Sequence, residues 1–336
     1  MQAFCIEKPM RGVITDTDIP TPGHDEILLK VMAAGLCGTD VHIYKGDYYG
    51  DYPRIPGHEF SGIVAGVGED VTRFSIGQRV SADPNIFCET CESCKQNMQN
   101  FCEDMHAVGV TRHGAFAEYL TVPERCVFDI GDLSFTEAAL VEPLACVVQG
   151  HNQIDIPLGA HVLVYGAGPI GMLHIQLSRI HGAATVTAVD PVESKLETAR
   201  KMGAAYAYTP EAFAAQGLTN HFELVIDCTG IPKVIENAVP YVRDAGTLLF
   251  FGVCPTESQI SVNPYEVYKR ELKLIGSFAL KKTFGAALRL AQSGQLDLAG
   301  IVDKRLTLGD APAFFDAAVS GNSGLKTVFY PNGIVE

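Results

Sequence analysis

Long apolar runs, runs of five or more like charges and low-complexity tracts are all missing from this 336-residue sequence. No stretch approaches the roughly 20 uninterrupted apolar residues that a membrane-spanning helix needs. The amino-terminal stretch also lacks the basic start and apolar run of a secretory signal. We therefore expect a globular protein that stays in the cytoplasm and has no membrane partner.

Basic residues are too few to favour nucleic-acid binding. The chain carries 25 Lys and Arg against 39 Asp and Glu, which gives a formal net charge of −14. Such a charge repels phosphate backbones, and no basic stripe accompanies the cysteine-rich stretch CETCESCKQNMQNFC. We predict a small-molecule substrate and no nucleic-acid partner.

That stretch contains four of the ten cysteines, in the pattern C-x2-C-x2-C-x7-C. In a reducing cytoplasm, such cysteines indicate metal ligation or buried packing rather than disulfides. Four thiolates saturate tetrahedral zinc and leave no open position, so the pattern predicts a structural zinc site. An iron–sulfur cluster is chemically possible, although the usual following proline is missing. The predicted ligands are Cys88, Cys91, Cys94 and Cys102.

The pattern of apolar residues changes along the chain. The length of 336 residues favours about two domains. Residues 1 to about 145 show short apolar runs broken by glycine and proline, which indicates a β-rich domain. From about residue 160, strand-like and helix-like segments alternate, which predicts a parallel sheet covered by helices. Periodicity leaves open whether the residues after about 275 join the second domain or return to the first.

A glycine-rich motif lies where this alternation begins, in VLVYGAGPIG. Gly166, Gly168 and Gly171 form G-x-G-x-x-G between a β-branched run and a helix, a pattern that lets backbone approach a pyrophosphate. Asp190 ends the next strand-like segment, 19 residues past Gly171. An acid there binds ribose hydroxyls and repels a 2′-phosphate, so NAD is predicted over NADP. The alternative is a turn that only tightens strand-to-helix packing.

A second set of candidate metal ligands has fewer members. Cys37, His58, Glu59 and Glu142 offer a thiolate, an imidazole and two carboxylates. Three such ligands leave the fourth position of zinc open, as catalysis requires. Taken singly, they could instead be a buried cysteine, a turn histidine and two surface acids.

Several motifs occur together in a familiar order: GLCGTDVHIY, PGHEFSGIVAGVG, the four-cysteine stretch, GAFAEYL, VEPLAC, VLVYGAGPIG and VIDCTG. With them the chain resembles, nearly end to end, the zinc-dependent medium-chain dehydrogenase/reductase family, and VEPLAC resembles its sorbitol/polyol dehydrogenase-like branch. The resemblance implies an α/β fold with a GroES-like β-rich catalytic domain of residues 1–146 and 276–336. It implies a Rossmann NAD-binding domain, with a doubly wound parallel sheet, of residues 147–275.

The resemblance also implies roles for individual residues. The four-cysteine stretch would hold a structural zinc, and Cys37 and His58 would hold a catalytic one, which makes two per chain. The third catalytic ligand would be Glu59 or Glu142, depending on the branch. Thr39 and His42 resemble a relay that carries a proton away from the substrate. The implied cofactor-binding positions are Gly166, Gly168, Pro169, Ile170, Gly171, Asp190, Lys195, Thr229, Val253 and Ser277.

The activity implied is oxidation of a secondary hydroxyl of a polyol, sugar alcohol or vicinal diol to a ketone, with hydride transfer to NAD. Sorbitol itself is not predicted, because residues 276–280 read GSFAL and lack the arginine–tyrosine pair of sorbitol enzymes. One alternative is a threonine-dehydrogenase-like amino-alcohol oxidation, although those enzymes usually carry aspartate in place of Glu142. Another is a non-catalytic nucleotide-binding protein of the same fold. A homodimer or homotetramer is also implied.

Overall fold

The computed structural model describes residues 1–48, 51–319, 321 and 324–334. The chain divides into two units. The first contains Met1–Ala145, Lys281–Gly294 and Leu298–Glu336, and the second contains Cys146–Leu280 and Gln295–Asp297. Most of the tail that periodicity left unassigned therefore lies in the first unit. Cys146 and residues 276–280 and 295–297, predicted for the catalytic domain, lie in the second unit.

The secondary structure agrees with the predicted β-rich first part and the alternating strands and helices that follow it. In chain order the strands are β1 (Gln2–Lys8), β2 (Arg11–Asp16), β3 (Glu26–Gly35), β4 (Glu59–Val67), β5 (Arg79–Ala82), β6 (Asn85–Ile86), β7 (His106–Ala107), β8 (Tyr119–Pro123), β9 (Val127–Asp129), β10 (His161–Tyr165), β11 (Thr185–Val189), β12 (Tyr206–Tyr208), β13 (Phe222–Asp227), β14 (Val242–Phe250), β15 (Lys273–Gly276), β16 (Val302–Thr307) and β17 (Lys326–Tyr330). The α-helices are α1 (Gly38–Lys45), α2 (Glu92–Lys95), α3 (Phe135–Ala139), α4 (Val141–His151), α5 (Pro169–Ile180), α6 (Glu193–Lys201), α7 (Pro210–Ala214), α8 (Pro232–Ala238), α9 (Pro264–Lys269), α10 (Phe284–Gln292) and α11 (Ala311–Ala318).

The first unit is built on a sheet of order β16-β17-β3-β4-β5-β9, in which β8 also pairs with β3. Aromatic side chains fill much of its core: Phe315 of α11 stacks on Phe4 at 4.7 Å between ring centroids. Phe116 packs edge-on against both Phe315 and Phe329. Burial of such large apolar surfaces is the main stabilising contribution to a unit of this kind.

The pairing of β3 with β4 positions the residues of greatest chemical interest. The two strands are antiparallel, and Gly35 at the end of β3 lies opposite Glu59 at the start of β4. Cys37 follows β3 by two residues and His58 immediately precedes β4. Because the end of one antiparallel strand lies beside the start of its neighbour, the register brings both side chains to one end of the sheet.

The second unit contains a parallel sheet of order β12-β11-β10-β13-β14-β15. Numbered from β10, this order is 3-2-1-4-5-6, the doubly wound arrangement that binds dinucleotides. The strand order reverses between β10 and β13, and ligands of such sheets bind at the carboxyl ends of the strands at that point. The glycine-rich motif starts directly after β10 and continues into α5.

Among the described residues, the structure contains no helix with the length and apolar character needed to cross a membrane.

Candidate metal and cofactor sites

Three of the four predicted catalytic metal ligands converge in the structure. The ligand atoms of Cys37, His58 and Glu59 all lie within 4.8 Å of one another. His58 and Glu59 are buried, with exposed fractions of 8% and 1%, and Cys37 is half-buried. One thiolate, one imidazole and one carboxylate in such proximity fit a zinc ion and leave a fourth position open.

Asp40, which the sequence analysis did not single out, ties these ligands together. Its fully buried carboxylate accepts the Cys37 N–H through Oδ2 at 2.9 Å and the Gly57 N–H through Oδ1 at 3.0 Å. Oδ1 also lies 3.4 Å from Nδ1 of His58. Metal-ligating histidines commonly place their other ring nitrogen against a carboxylate, which orients the ring. The sequence does contain a signal for this role of Asp40. Cys37 is the N-cap of α1, and an acid three residues after an N-cap often accepts the N–H of the N-cap residue.

The His58 imidazole is electrostatically tuned by the same neighbours. Burial lowers its pKa, but the charges of Asp40 and Cys37 raise it by more, so that the pKa lies well above its usual value. The arrangement thus favours a positive charge at this ring position. A metal cation satisfies the same electrostatic demand without the proton.

Lys326 is the second residue that the sequence analysis missed. Its side chain is buried, at 4% exposed, and Nζ donates to the Leu36 carbonyl at 2.8 Å and to Glu59 Oε1 at 2.6 Å. It also forms an ion pair with the other Glu59 oxygen. Gly35 leaves room for this pair, since a Cβ there would lie 2.1 Å from Glu59 Oε2. Glu59 is therefore held in place and charge-compensated before any metal binds.

Glu142 lies beside this group rather than within it. It is buried in the first turn of α4, and it does not belong to the set of atoms that lie within 4.8 Å of one another. Burial raises the pKa of Glu142; the His58 charge opposes this shift and the Glu59 charge adds to it. Both carboxylates are thus close enough to interact, and the choice between them as third ligand stays a prediction.

Thr39 and His42 both lie on α1, three residues apart, but their polar atoms have different neighbours. Thr39 Oγ1 lies 3.8 Å from the Cys37 sulfur. The His42 side chain is 55% exposed, and its Nδ1 lies 2.8 Å from Asp47 Oδ1. Thr39 is therefore at the candidate metal site, and His42 is on the surface of the same helix.

The four-cysteine stretch forms the second cluster of ligands. The sulfurs of Cys88, Cys91, Cys94 and Cys102 all lie within 4.8 Å of one another, and none forms a disulfide. The Cys88 and Cys94 sulfurs are 4.0 Å apart, close to the separation of about 3.8 Å that a tetrahedron with Zn–S of about 2.3 Å requires. Backbone N–H groups of Cys91 and then Thr90 lower the pKa of Cys88 to about 6, which favours the thiolate. This geometry fits a closed zinc site.

Each glycine of the glycine-rich motif has its own structural reason. Gly166 has a φ of +90°, which side-chain-bearing residues rarely adopt. A Cβ on Gly168 would meet no atom within 4 Å, so the backbone there is open to a ligand. A Cβ on Gly171 would lie 1.9 Å from the Gly166 carbonyl oxygen, which shows how closely α5 approaches the preceding turn. These are the three roles expected of a pyrophosphate-binding loop.

Asp190 lies directly after β11, beside that loop. Its Oδ2 accepts the Ala167 N–H at 2.8 Å, and its Oδ1 accepts the Val192 N–H at 2.9 Å. A carboxylate has about four acceptor positions, so each oxygen keeps one lone pair for a ribose hydroxyl. The two backbone bonds fix the orientation that such a role needs.

The other predicted cofactor positions also lie in the second unit. Thr229 follows β13, and its hydroxyl donates to Asp227 at 2.5 Å. Val253 follows β14 and is 91% exposed, and Ser277 follows β15 with a buried hydroxyl that has no partner in the described chain. Parallel neighbours end at the same edge of a sheet, so these residues lie at the edge that the glycine-rich motif also occupies. Pro169 and Ile170 open α5, and Lys195 lies on α6.

Known proteins match this chain over nearly its whole length. A family model for the alcohol dehydrogenase GroES-like domain matches residues 23–132, and a model for zinc-binding dehydrogenase matches residues 169–293. D-altritol 5-dehydrogenase from Agrobacterium fabrum strain C58 is 41% identical over 98% of this chain and 99% of its own. The chain belongs to the zinc-binding alcohol dehydrogenase family.

Other members of this dehydrogenase family are also similar. D-arabinitol dehydrogenase 1 from Uromyces fabae is 35% identical over 99% of this chain and 97% of its own, and L-threonine 3-dehydrogenase from Escherichia coli K12 is 34% identical over 96% and 98%. A structure described as a zinc-binding dehydrogenase from Sinorhizobium meliloti 1021, bound to NADP, superposes with a TM-score of 0.95 at 31% identity, over 98% of this chain and 99% of its own. The predicted family, α/β fold class and oxidoreductase class are confirmed.

The buried pair of Lys326 and Glu59 makes a direct prediction about the stability of this dehydrogenase. Removing one partner leaves an uncompensated buried charge, so Lys326→Met should lower the free energy of unfolding by about 3–5 kcal/mol. Urea denaturation after metal removal measures the change against wild type treated in the same way, because a zinc ion bound to Glu59 would itself compensate the charge. The matched control is Lys233→Met, whose side chain is 74% exposed in its pair with Glu236 and which should change stability by less than about 1 kcal/mol. Equal small effects of both substitutions would contradict the structural role of Lys326.

Proposed function

We propose that this dehydrogenase oxidises a secondary hydroxyl of a polyol, sugar alcohol or vicinal diol to a ketone, with zinc and NAD. The observation that carries the proposal is the convergence of Cys37, His58 and Glu59, which provides a three-ligand metal site with an open position. In this proposal the first unit is the catalytic domain, and the second unit, with its doubly wound sheet, is the NAD-binding domain.

The catalytic metal would be held by Cys37 and His58, with Glu59 or Glu142 as the third protein ligand. Zinc, when bound, lowers the pKa of a coordinated hydroxyl toward neutrality and so prepares an alcohol for hydride loss. Asp40 keeps the His58 ring oriented, and Lys326 holds Glu59. The four cysteines at 88–102 would hold a second, structural zinc that takes no part in the reaction.

NAD would bind along the carboxyl edge of the parallel sheet and accept the hydride at its nicotinamide ring. The pyrophosphate would approach the open backbone at Gly168, where the amino end of α5 favours an anion. The free lone pairs of Asp190 would accept the adenosine ribose hydroxyls. Because a second negative charge beside this carboxylate is unfavourable, we propose NAD over NADP.

Proton release would start at Thr39, whose hydroxyl lies beside the Cys37 sulfur. His42 is exposed, and its imidazole would exchange the proton with solvent. Thr39 and His42 contact different residues and not each other, so the relay needs a hydroxyl or water between them. Asp47 would hold the His42 ring.

The substrate class is supported by the relatives. Two of them are named for the pentitol or hexitol that they oxidise, altritol and arabinitol. The threonine dehydrogenase is the second candidate, but Glu142 occupies a position where threonine dehydrogenases usually carry aspartate. We also propose that the enzyme works as a homodimer or homotetramer, as the family resemblance implies.

A panel of substrates tests the proposal. Pentitols, hexitols, their phosphates, 2,3-butanediol and L-threonine are each offered with NAD and with NADP, and reduced cofactor is followed by absorbance. We expect the highest kcat/KM for a polyol or diol with NAD. A higher kcat/KM for L-threonine would replace the polyol assignment by the amino-alcohol one, and a preference for NADP would contradict the role given to Asp190.

Metal content tests the two-site assignment. We expect two zinc ions per chain in active wild-type enzyme, measured by elemental analysis. Cys37→Ala should lose one zinc and all activity while the circular dichroism spectrum is retained, because the ligand is lost but the fold is not. The matched control is Cys5→Ala, a buried cysteine outside both clusters, which should retain both ions. A single zinc in active wild-type enzyme would refute the two-site account.

The pH dependence of the rate tests the relay. His42→Gln removes the imidazole, so kcat near pH 7 should fall by at least about tenfold and recover at higher pH, where hydroxide replaces the lost base. His24→Gln is the control, since His24 is an exposed histidine paired with the carboxylate of Glu69 in the same unit. If both variants keep the wild-type kcat at every pH, His42 has no part in proton release.

A further inference from the structure

A cavity of about 470 Å³ opens on the first unit, and none of the proposed metal or cofactor residues lines it. Its lining includes Arg54, Ile55, Arg112, His113, Tyr119 and Thr121. Small-molecule sites in proteins usually have volumes of about 300–1,000 Å³. The cavity is therefore large enough for a metabolite-sized ligand.

Arg54 is the unusual member of this lining. It is buried, at 8% exposed, and it forms neither an ion pair nor a side-chain hydrogen bond with any residue that the structure describes. Buried charges are normally paired, because an unpaired charge in a protein interior is costly. The same unit pairs its other buried cation, Lys326, with Glu59. The guanidinium of Arg54 thus lacks the anion that its burial calls for.

The other polar groups of the lining do not supply that anion. Arg112 is paired with Glu26 at 2.6 Å, so the Glu26 carboxylate is already compensated. Asp18 lines the cavity but is exposed and lies beyond ion-pair distance of Arg54. The Thr121 hydroxyl also bonds to Glu26, and the lining further offers the hydroxyl of Tyr119 as a donor.

His113 is a second donor of the lining. Its Nδ1 accepts the Ile55 N–H at 3.2 Å, so in the neutral ring Nε2 carries the hydrogen. Burial lowers the pKa of His113, and the positive charge of Arg54 lowers it further. Both effects favour the neutral imidazole, so the uncompensated side-chain charge in the lining is that of Arg54.

We propose that this cavity binds a small oxyanion, the carboxylate or phosphate group of a metabolite, through Arg54. The planar guanidinium presents a fork of N–H donors that matches either group with two parallel hydrogen bonds. Neutral donors of His113 and Tyr119 complete the coordination of the remaining oxygens. The site is separate from the catalytic metal ligands, and its existence does not depend on which substrate the enzyme oxidises.

The bound anion would stabilise the segment that leads to His58. The Arg54 backbone pairs with Ile6 in both directions, at 2.9 and 2.8 Å. A second wall of the cavity, formed by residues 112–114, continues into hydrogen bonds with the same segment: Gly114 N–H donates to the Ile55 carbonyl and Ala115 N–H to the Gly57 carbonyl, both at 2.8 Å. An anion that joins the two walls adds a further link between them, and a ligand that binds only the folded state raises its stability.

Thermal unfolding of the zinc-loaded enzyme with saturating NADH tests the proposal, since the cofactor occupies the glycine-rich loop that could otherwise bind phosphate. Inorganic phosphate and citrate are titrated against sodium chloride of equal ionic strength. We expect phosphate or citrate to raise Tm in a saturable manner beyond the chloride effect, and calorimetric titration to give one site per chain.

Two substitutions of Arg54 separate anion binding from a purely structural role. Arg54→Lys keeps the charge but loses the fork and should weaken binding at least about tenfold. Arg54→Met should abolish the response, and without the anion its Tm should equal or exceed that of the wild type, because an unpaired buried charge is removed. The control Arg289→Gln changes an exposed arginine outside the cavity and should respond like the wild type.

The contrary results are equally definite. If phosphate and citrate shift the wild-type Tm no more than chloride does, the cavity binds no oxyanion. If Arg54→Met keeps the wild-type response, the anion binds elsewhere. If Arg54→Met lowers Tm strongly in anion-free buffer, Arg54 is a structural residue that the protein itself satisfies, and the proposal fails.

Discussion

The buried carboxylate of Asp40 is the constraint on which the candidate metal site of Cys37 and His58 depends. It accepts the Cys37 N–H and the Gly57 N–H and faces the His58 ring, so one side chain joins the start of α1 to the loop before β4. A fully buried carboxylate must be satisfied by such donors, because leaving it unpaired would cost several kcal/mol. The hydrogen bonds that the Asp40 carboxylate needs therefore also fix the distance between the candidate ligands Cys37 and His58.

The two cysteine-containing clusters differ in how many ligands each offers to a metal, and this number determines whether a bound metal could contact a substrate. The four sulfurs at 88–102 lie within 4.8 Å of one another and would complete the tetrahedron of a zinc ion, and backbone N–H groups donate to the sulfurs of Cys88 and Cys102. Such a site can hold a loop but cannot activate a substrate. The group at Cys37, His58 and Glu59 offers only three ligands, so a zinc ion held there would keep a position open for a substrate. The cluster that is more conspicuous in the sequence is thus the less reactive one.

Much of the candidate site could be predicted because its residues lie in short, contiguous motifs. The geometry of the glycine-rich loop could be predicted from its spacing. A positive φ, a backbone open to a ligand and a close approach of the helix each require a residue without a Cβ, and these residues recur at fixed positions in the motif. Lys326 could not be predicted in this way, because it lies 267 residues from Glu59. A lysine in an apolar terminal strand carries no local mark of a partner so distant in the chain. Arg54 was missed for the complementary reason: its side chain has no partner among the residues that the structure describes, and the absence of a contact is visible only in the folded protein.

The sequence by itself determined the chemical groups: which thiolates, imidazoles and carboxylates are available, their local spacing, and the alternation of strands and helices that produces a parallel sheet. These properties follow from side-chain chemistry and from periodicity over a few residues. Only the tertiary structure shows how near each carboxylate lies to Cys37 and His58, because the β3–β4 register brings Glu59 within 4.8 Å of both and leaves Glu142 outside that group. The tertiary structure also decided that buried Lys326 is paired with Glu59, whereas buried Arg54 has no side-chain partner among the described residues. Both decisions depend on distances between segments far apart in the chain, and such distances are set by packing rather than by local sequence.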